Sequence, residues 1–431
     1  MNNQIKTRLR YKKKPAKIAI VALFAVFSIL AVADNSHAYG LSSARAVAMG
    51  GAYTGLAKGV YAGLYNPANL GLKGYRQNGI EIIGAGARIT NNSFSLNDYN
   101  DYTGALLTND DKSDILNKIP VEGLKISADA EATALSLAFG NIALTFNGLA
   151  ATESNLGKDA MRLILNGNGF NETFSLDGMY SEAIAYASGG VSYGMPLIKL
   201  GNRELAIGAT AKYIRGIAYE EITEITGGAT TLITGFEGEG SINIRTATGG
   251  TGYGFDLGAA LKLSENYTLG VTFNNLLSHI NWNNETEEHG YYFQFDTTTT
   301  DNMDDDSVVV SEDYSRDIDG FSSSLPTVMR LGIANTSGSL LWAIDWEQGF
   351  RLGAGTSSKP RIAVGAEYHL IPFMPLRVGY AAGGGKASAL SGGSGVDLGL
   401  FHMDFAVSNH STFNFTESKG LHFALSAGIR L

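Results

Sequence analysis

Apolar and polar side chains alternate with a period of two along much of this chain, the spacing at which successive residues of a β-strand face opposite sides. From Ala134 to Asn147, Leu135, Leu137 and Phe139 share one face, Gly140-Asn141 supplies a two-residue turn, and Ile142, Leu144 and Phe146 resume it. Opposite them stand Ser136, Ala138, Ala143 and Thr145, all small or mildly polar. The pattern recurs from Tyr253 to Leu277, where Tyr253, Phe255, Leu257, Leu261 and Leu263 oppose Asp256 and Lys262. After a turn at Ser264-Glu265-Asn266, the row Tyr267, Leu269, Val271 and Phe273 opposes Thr268, Thr272 and Asn274. Further copies are Met329, Leu331 and Ile333 against Arg330; Leu340, Trp342, Ile344 and Trp346 against Asp345 and Glu347; and Ile362, Val364 and Tyr368 against Glu367 and His369. The chain finishes in the same way, with Leu421, Phe423, Leu425, Ile429 and Leu431 alternating with His422, Ala424, Ser426, Gly428 and Arg430, a closing strand.

The charges fall consistently on the face opposite the large apolar residues. Such strands fit a closed transmembrane barrel, where one face meets lipid and the other the lumen. A charge turned to hydrocarbon costs about 2–4 kcal/mol near the midplane, so Arg330, Asp345, Glu347, Glu367, Arg377 and Asp404 are expected to line the lumen and pair there. Composition agrees: 54 Gly, 20 Tyr and 20 Phe in 431 residues, with a mean hydropathy of zero, suit strands that average apolar with polar. The absence of cysteine leaves strand pairing and closure, rather than disulfides, to hold an exported chain together. The fold class is therefore all-β, a transmembrane antiparallel β-barrel.

Residues 1–38 read as a cleaved export signal. Seven Lys/Arg lie among the first 17 residues, Ile18 to Ala33 is uncharged and apolar, and Ser36-His37-Ala38 presents small residues at a cleavage site. Sixteen apolar residues fall short of the roughly 20 that a spanning helix needs. Removal of the signal takes away seven basic residues and one acid, leaving 25 basic against 40 acidic residues, a net of −15, which argues against a nucleic-acid partner. Four stretches, 91–127, 150–182, 221–251 and 281–324, are expected to be outer loops or inserts, with a short helix over Lys158 to Leu165. The acidic segment Asp296 to Asp319, with its Asp304-Asp305-Asp306 run, reads as a solvated loop, and glycine-rich Ala382 to Gly395 as a loop or turn.

Residues 40–72 do not alternate. They are small, apolar and end in Asn66-Pro67-Ala68; Ala44 to Met49 and Val60 to Tyr65 suit short helices, the second stopped by Pro67, so a compact plug is expected over 39–75 ahead of the barrel at 76–431. Ala44-Arg45-Ala46 leading into Met49-Gly50-Gly51-Ala52, then Tyr65-Asn66-Pro67-Ala68, resembles the long-chain fatty-acid transporter (FadL-like) outer-membrane proteins and their PorV-like and TraF-like relatives. The order of Leu325-Pro326, Met329-Arg330-Leu331-Gly332, Trp342-Ala343-Ile344-Asp345-Trp346, Gly365-Ala366-Glu367-Tyr368 and Pro375-Leu376-Arg377-Val378-Gly379-Tyr380 extends that resemblance over nearly the whole mature chain. The family commonly ends on an aromatic residue, whereas this chain ends on Leu431. The resemblance implies about 14 strands and an N-terminal hatch carrying the Asn66, Pro67 and Ala68 motif, with Met49, Gly50 and Gly51 beside it. Asn66-Pro67 is read either as part of a gate or as a helix-stopping turn.

No nucleophile elbow, zinc spacing or nucleotide loop is present, and the Asp301–Asp306 stretch lacks the glycine and distal glutamate of a calcium loop, so no enzyme activity, cofactor or metal is expected. Two functions remain. The first is passive uptake of a hydrophobic or amphipathic, fatty-acid-like small molecule through the bacterial outer membrane; the second is a sealed barrel acting as scaffold or shuttle in protein secretion or envelope assembly. The expected partners are outer-membrane lipid, a hydrophobic small-molecule ligand and, during biogenesis, the barrel-assembly machinery. A monomer is expected.

Overall fold

The computed structural model describes residues 40–431 apart from 168, 300, 302–307, 352, 354, 385, 412 and 413. The expected export signal and the Asp304-Asp305-Asp306 run lie outside the described residues. Fourteen antiparallel strands close into one barrel. They are β1 (Gly79–Asn91), β2 (Leu124–Phe139), β3 (Ile142–Leu156), β4 (Tyr180–Leu200), β5 (Arg203–Leu232), β6 (Gly235–Lys262), β7 (Tyr267–Trp282), β8 (Val328–Asn335), β9 (Leu340–Gly349), β10 (Arg361–Ile371), β11 (Met374–Gly383), β12 (Lys386–Asp397), β13 (Phe401–His410) and β14 (Gly420–Arg430). Each pairs with its sequence neighbour, and β1 closes the ring by setting Gly79 opposite Arg430 of β14 as well as Ala138 of β2. Closure removes the sheet edges that would otherwise leave backbone groups unpaired in lipid.

The alternation sorts as the sequence leads one to expect. Leu135, Leu137, Phe139, Ile142, Leu144 and Phe146 are exposed on the outer wall, while Ala138, Ala143, Ser136 and Thr145 are buried inside. Six of the connections are tight and lie at one end, four of them turning on positive-φ glycines: Gly140, Gly201, Gly338 and Gly399. The other end carries the longer connections. Between β1 and β2 lie two short helices, Leu96–Tyr102 and Asn109–Lys118, each opened by a capping box from Ser95 or Thr108. Between β3 and β4 the expected helix forms over Lys158–Asn166 and stops at Gly167, whose φ is 72°.

Two expected loops are strands. Residues 221–251 continue β5 and β6 as a hairpin well past their barrel neighbours: β4 leaves β5 at Glu221, and β7 leaves β6 at Gly250. Part of 281–324 forms strands too, Glu287–Thr298, Val309–Asp317 and Phe321–Ser323, the first paired to the extended β6. Beyond the membrane neither face meets lipid, so the period-two contrast that marks the barrel strands fades. Ala382 to Gly395 falls largely within β12, after a turn at Gly383 and Gly384, and Gly393 has a packing cause described below.

Candidate functional site

The N-terminal segment threads the lumen near the short-turn end. Ser43 caps helix α1 (Ala44–Ala48) by accepting from Ala46 N, and the chain then reverses through Met49-Gly50-Gly51, where both glycines have positive φ (68° and 92°). Helix α2 (Gly59–Tyr65) ends at Asn66. That residue is fully buried; its Oδ1 accepts from Ala68 N at 3.1 Å to start a 3₁₀ turn (Pro67–Gly71), and its Nδ2 donates to Ala259 O of β6 at 3.1 Å. Pro67 sits at the first position of that turn, where its missing N–H costs nothing. Asn66, Pro67 and Ala68 thus form a turn bonded to the barrel wall.

The wall is made to receive this segment. A Cβ at Gly208 would overlap the Pro67 carbonyl carbon, one at Gly258 the Asn66 side chain, one at Gly365 the Met49 carbonyl and one at Gly379 the Gly50 amide. At Gly393 of β12 an added Cβ would stand 2.7 Å from the Ala48 Cβ. Successive strands therefore contribute inward glycines to a girdle on which hatch backbone lies flat. This girdle was missed in the sequence, although its signal was there: a glycine alternating with outward apolar residues, as in Leu331-Gly332-Ile333.

Charged side chains fasten the hatch. Asp345 Oδ2 accepts from the N–H groups of Tyr53 and Thr54 at 2.9 and 2.8 Å. Arg45 of α1 makes a two-pronged bond to Glu367 at 2.7 and 2.8 Å, and Arg377 braces the same carboxylate at 2.6 Å while reaching Asp404 at 2.7 Å. Arg330 pairs with Glu347 and donates to Asn274 Oδ1 at 2.8 Å, its guanidinium 5.8 Å from the Tyr65 ring centre. All six charged candidates face inward and are buried. The geometry adds Glu131, which accepts from Leu41 N at 2.5 Å and Ser42 N at 3.3 Å, and the hatch's own Arg45. Buried ions paired on several sides carry little net stability, but removing one partner leaves the others stranded.

Above the hatch the lumen changes character. Leu149, Ile184, Tyr186, Ile214, Tyr219, Ile280, Trp282 and Leu325 form an apolar cluster, the collar, on the β3–β7 side of the wall, with Tyr219 5.3 Å from Trp282 and 5.5 Å from Phe321 between ring centres. Between collar and hatch an enclosed cavity of about 30 Å³ is lined by Glu131, Asn147, Lys212, Asp256 and Asn274, space for about two waters. A larger apolar hollow, about 440 Å³, lies on the lipid side of the wall among Leu205, Leu269, Leu331, Ile333, Ile344 and Trp346. Among the described residues no group of three or more His, Asp or Glu is placed to hold a metal ion.

A closed 14-strand barrel with a helical segment fastened across its lumen defines a plugged membrane β-barrel. The chain belongs to a family of unknown function (DUF5723), which matches residues 74–248 and 225–405. No curated protein matches it. Among solved structures it is similar in fold to the Pseudomonas putida toluene transporter TodX, at 14% identity over 92% of this chain and 99% of that one, with a TM-score of 0.50. The Ralstonia pickettii toluene transporter TbuX (15% identity, 91% and 99% covered, TM-score 0.49) and a Pseudomonas aeruginosa FadL homologue (12%, 93% and 99%, 0.47) also match.

Proposed function

We propose that this protein is an outer-membrane barrel that takes up hydrophobic or amphipathic small molecules, fatty-acid-like in character, without coupling to an energy source. The observation that carries the reading is the collar. A water-filled barrel has a polar interior, whereas Ile214, Tyr219, Ile280 and Trp282 turn apolar surface inward above a hatch that closes the way to the short-turn end. Apolar ligand pockets are lined in this way, with a few polar groups below to orient the guest. TodX, similar in fold, is a toluene transporter. On this reading Asn66, Pro67 and Ala68, with Met49, Gly50 and Gly51, form the part of the hatch that shifts, and the charged pairs return it to the wall. The long-connection end faces outward, and assembly follows export by the signal at 1–38.

Because the cavity below the collar holds only about two waters, passage requires the hatch to move. A disulfide across the hatch tests this: a Cβ at Gly63 would stand 3.3 Å from the Ala143 Cβ, near the ~3.5–4.5 Å a disulfide spans, with the Ser192 hydroxyl, 2.7 Å from it, rotating aside. In the Gly63→Cys/Ala143→Cys protein, uptake of a labelled hydrophobic compound is expected to stop on oxidation and return on reduction. Uptake indifferent to the bond would contradict the gate. The same tight packing favours the second reading, a sealed barrel serving as scaffold or shuttle in secretion; no uptake by the wild-type protein in any redox state would support it.

A further inference from the structure

The extended hairpin of β5 and β6, with strands Glu287–Thr298 and Val309–Asp317 on one side and Thr173–Ser175 on the other, makes a blade that rises from the barrel. Its two faces differ sharply. Phe174, Phe236, Phe295 and Phe293 touch in series on one face, with ring centres 6.4, 5.0 and 5.4 Å apart, and Ile242 opposite Tyr291 extends the patch downward. Tyr291 is 52% exposed. The reverse face holds Glu224, Glu237, Glu239, Glu288 and Glu312, tied by polar contacts such as Glu224 to Asn243 and Glu288 to Tyr314. From the Ile242–Tyr291 row to the tip, Asp313 at the outer strand is the one carboxylate at a register position of the aromatic face among the described residues; Glu220 and Glu287 lie below it.

Lipid does not cover this patch. On β5, Arg203 and exposed Arg215 bracket about 30 Å at a usual barrel tilt, the thickness of the hydrocarbon layer. The aromatic rows begin near Ile225, about ten residues or roughly 33 Å further along the strand. No helix packs on the patch among the described residues, apart from contacts of Lys158–Asn166 at its Thr173–Ser175 edge. Four strands spaced by about 4.8 Å and five side-chain rows outline roughly 600 Å² before side-chain relief is counted. That approaches the ~800 Å² each partner buries in a standard interface.

We infer that the aromatic face is the contact through which two copies of this chain associate, blade against blade. The faces dictate the geometry. Apposing the aromatic faces as two stacked sheets buries the phenyl rings on both sides and leaves the acidic faces pointing away from one another, whereas pairing through the reverse face would bring together an excess of glutamates over Arg245 and Arg316, which are already paired to Glu221 and Glu288 within each copy. The aromatic side continues the parity of the outer wall, since Ala247 and Arg245 on the reverse side lead into the collar, Arg245 lying 4.1 Å from the Phe321 ring centre. Two barrels side by side in one membrane can therefore bring these faces together without covering either lumen. The inferred assembly is a dimer held outside the membrane, in place of the monomer expected from the sequence.

The cysteine-free chain makes the test clean, because a single introduced cysteine can be linked only to another copy or another protein. Full-length Tyr291→Cys and Ile242→Cys proteins, treated with a bismaleimide in intact cells, are expected to yield a species of twice the chain mass. Asn243→Cys, on the reverse face, is expected to stay at the chain mass. Adding Phe236→Glu and Phe295→Glu to Tyr291→Cys should abolish the linked species while the barrel keeps its folded, heat-sensitive gel mobility. Linkage of Tyr291→Cys to a different polypeptide, equal linkage through Asn243→Cys, or no linkage at either aromatic-face position would overturn the inference.

Discussion

The two halves of the lumen are closed by different physics. At the short-turn end, hatch and wall meet through directional bonds: Asp345 to two backbone amides, Arg45 to Glu367, Asn66 to Ala259 O, all laid on glycines that leave no slack. At the other end the collar packs mainly through apolar side chains around Trp282 and Tyr219, whose polar tips bond outside the cluster to Ser323, Glu182 and Glu221. Directional networks fail as units, because each deleted partner strands the rest, whereas apolar contacts are non-directional and re-form around an apolar guest. On the proposed reading the contrast is a division of labour: the collar admits a greasy molecule by repacking, and the hatch holds until its bonds are exchanged together.

The contrast can be broken first at Glu367. Glu367→Ala strands Arg45 and Arg377 inside the barrel and is expected to cost about 3–5 kcal/mol; hatch release, read as new protease cleavage between residues 40 and 72 and as conductance across a bilayer, checks it. Gly379→Val comes next, since its side chain must displace the Gly50 amide. An overpacking loss of about 1–3 kcal/mol should appear as a lower urea midpoint together with the same conductance. Ile214→Val sharpens the other side, with a loss of about 0.5–1.5 kcal/mol and no conductance, because thinning the collar leaves the hatch seated.

The smallest effect is outside the membrane. Burial alone would raise the Asp98 carboxyl, but hydrogen bonds from Lys118 and from Ser95 hold it below the ordinary aspartate value. Its contribution is therefore present above the ordinary pKa near 4 and is lost as pH falls through the depressed one. An exposed pair of this kind is worth about 0.5 kcal/mol. A lower protection factor in 96–118 at pH 2 than at pH 5, after correction for the intrinsic exchange rate at each pH, is the expected readout.

Much of the barrel was legible because membrane strands must sort their side chains: Leu331 against Arg330 and Trp346 against Asp345 alternate as lipid and lumen demand. The inward placement of six charges followed from hydrocarbon's intolerance of them. What they hold did not follow, since Glu367 meets Arg45 across 322 positions of sequence, and no local pattern encodes such a meeting. The blade escaped because both of its faces leave lipid: on β5 the run Thr226 to Thr231 has no large apolar row, so the alternation of Phe236, Ile242 and Ile244 with Glu237, Asn243 and Arg245 on β6 stood alone. Ala382 to Gly395 looked like a loop because it holds both turn glycines, Gly383 and Gly384, and strand glycines with other causes, such as Gly393 against Ala48 of the hatch. The collar was not visible because Trp282 fell in a presumed loop and Tyr219 in a stretch to which no element was assigned.

The central claim is that an apolar molecule enters through the collar. A photoactivatable alkyl diazirine, cross-linked to the full-length protein in membranes and mapped by peptide mass spectrometry, tests it most directly. The account predicts adducts on inward Tyr219, Ile280 and Trp282, suppressed by excess unlabelled hydrocarbon. Adducts confined to the outer wall, at Leu205, Leu331 and Trp346, with the collar unlabelled, would contradict it.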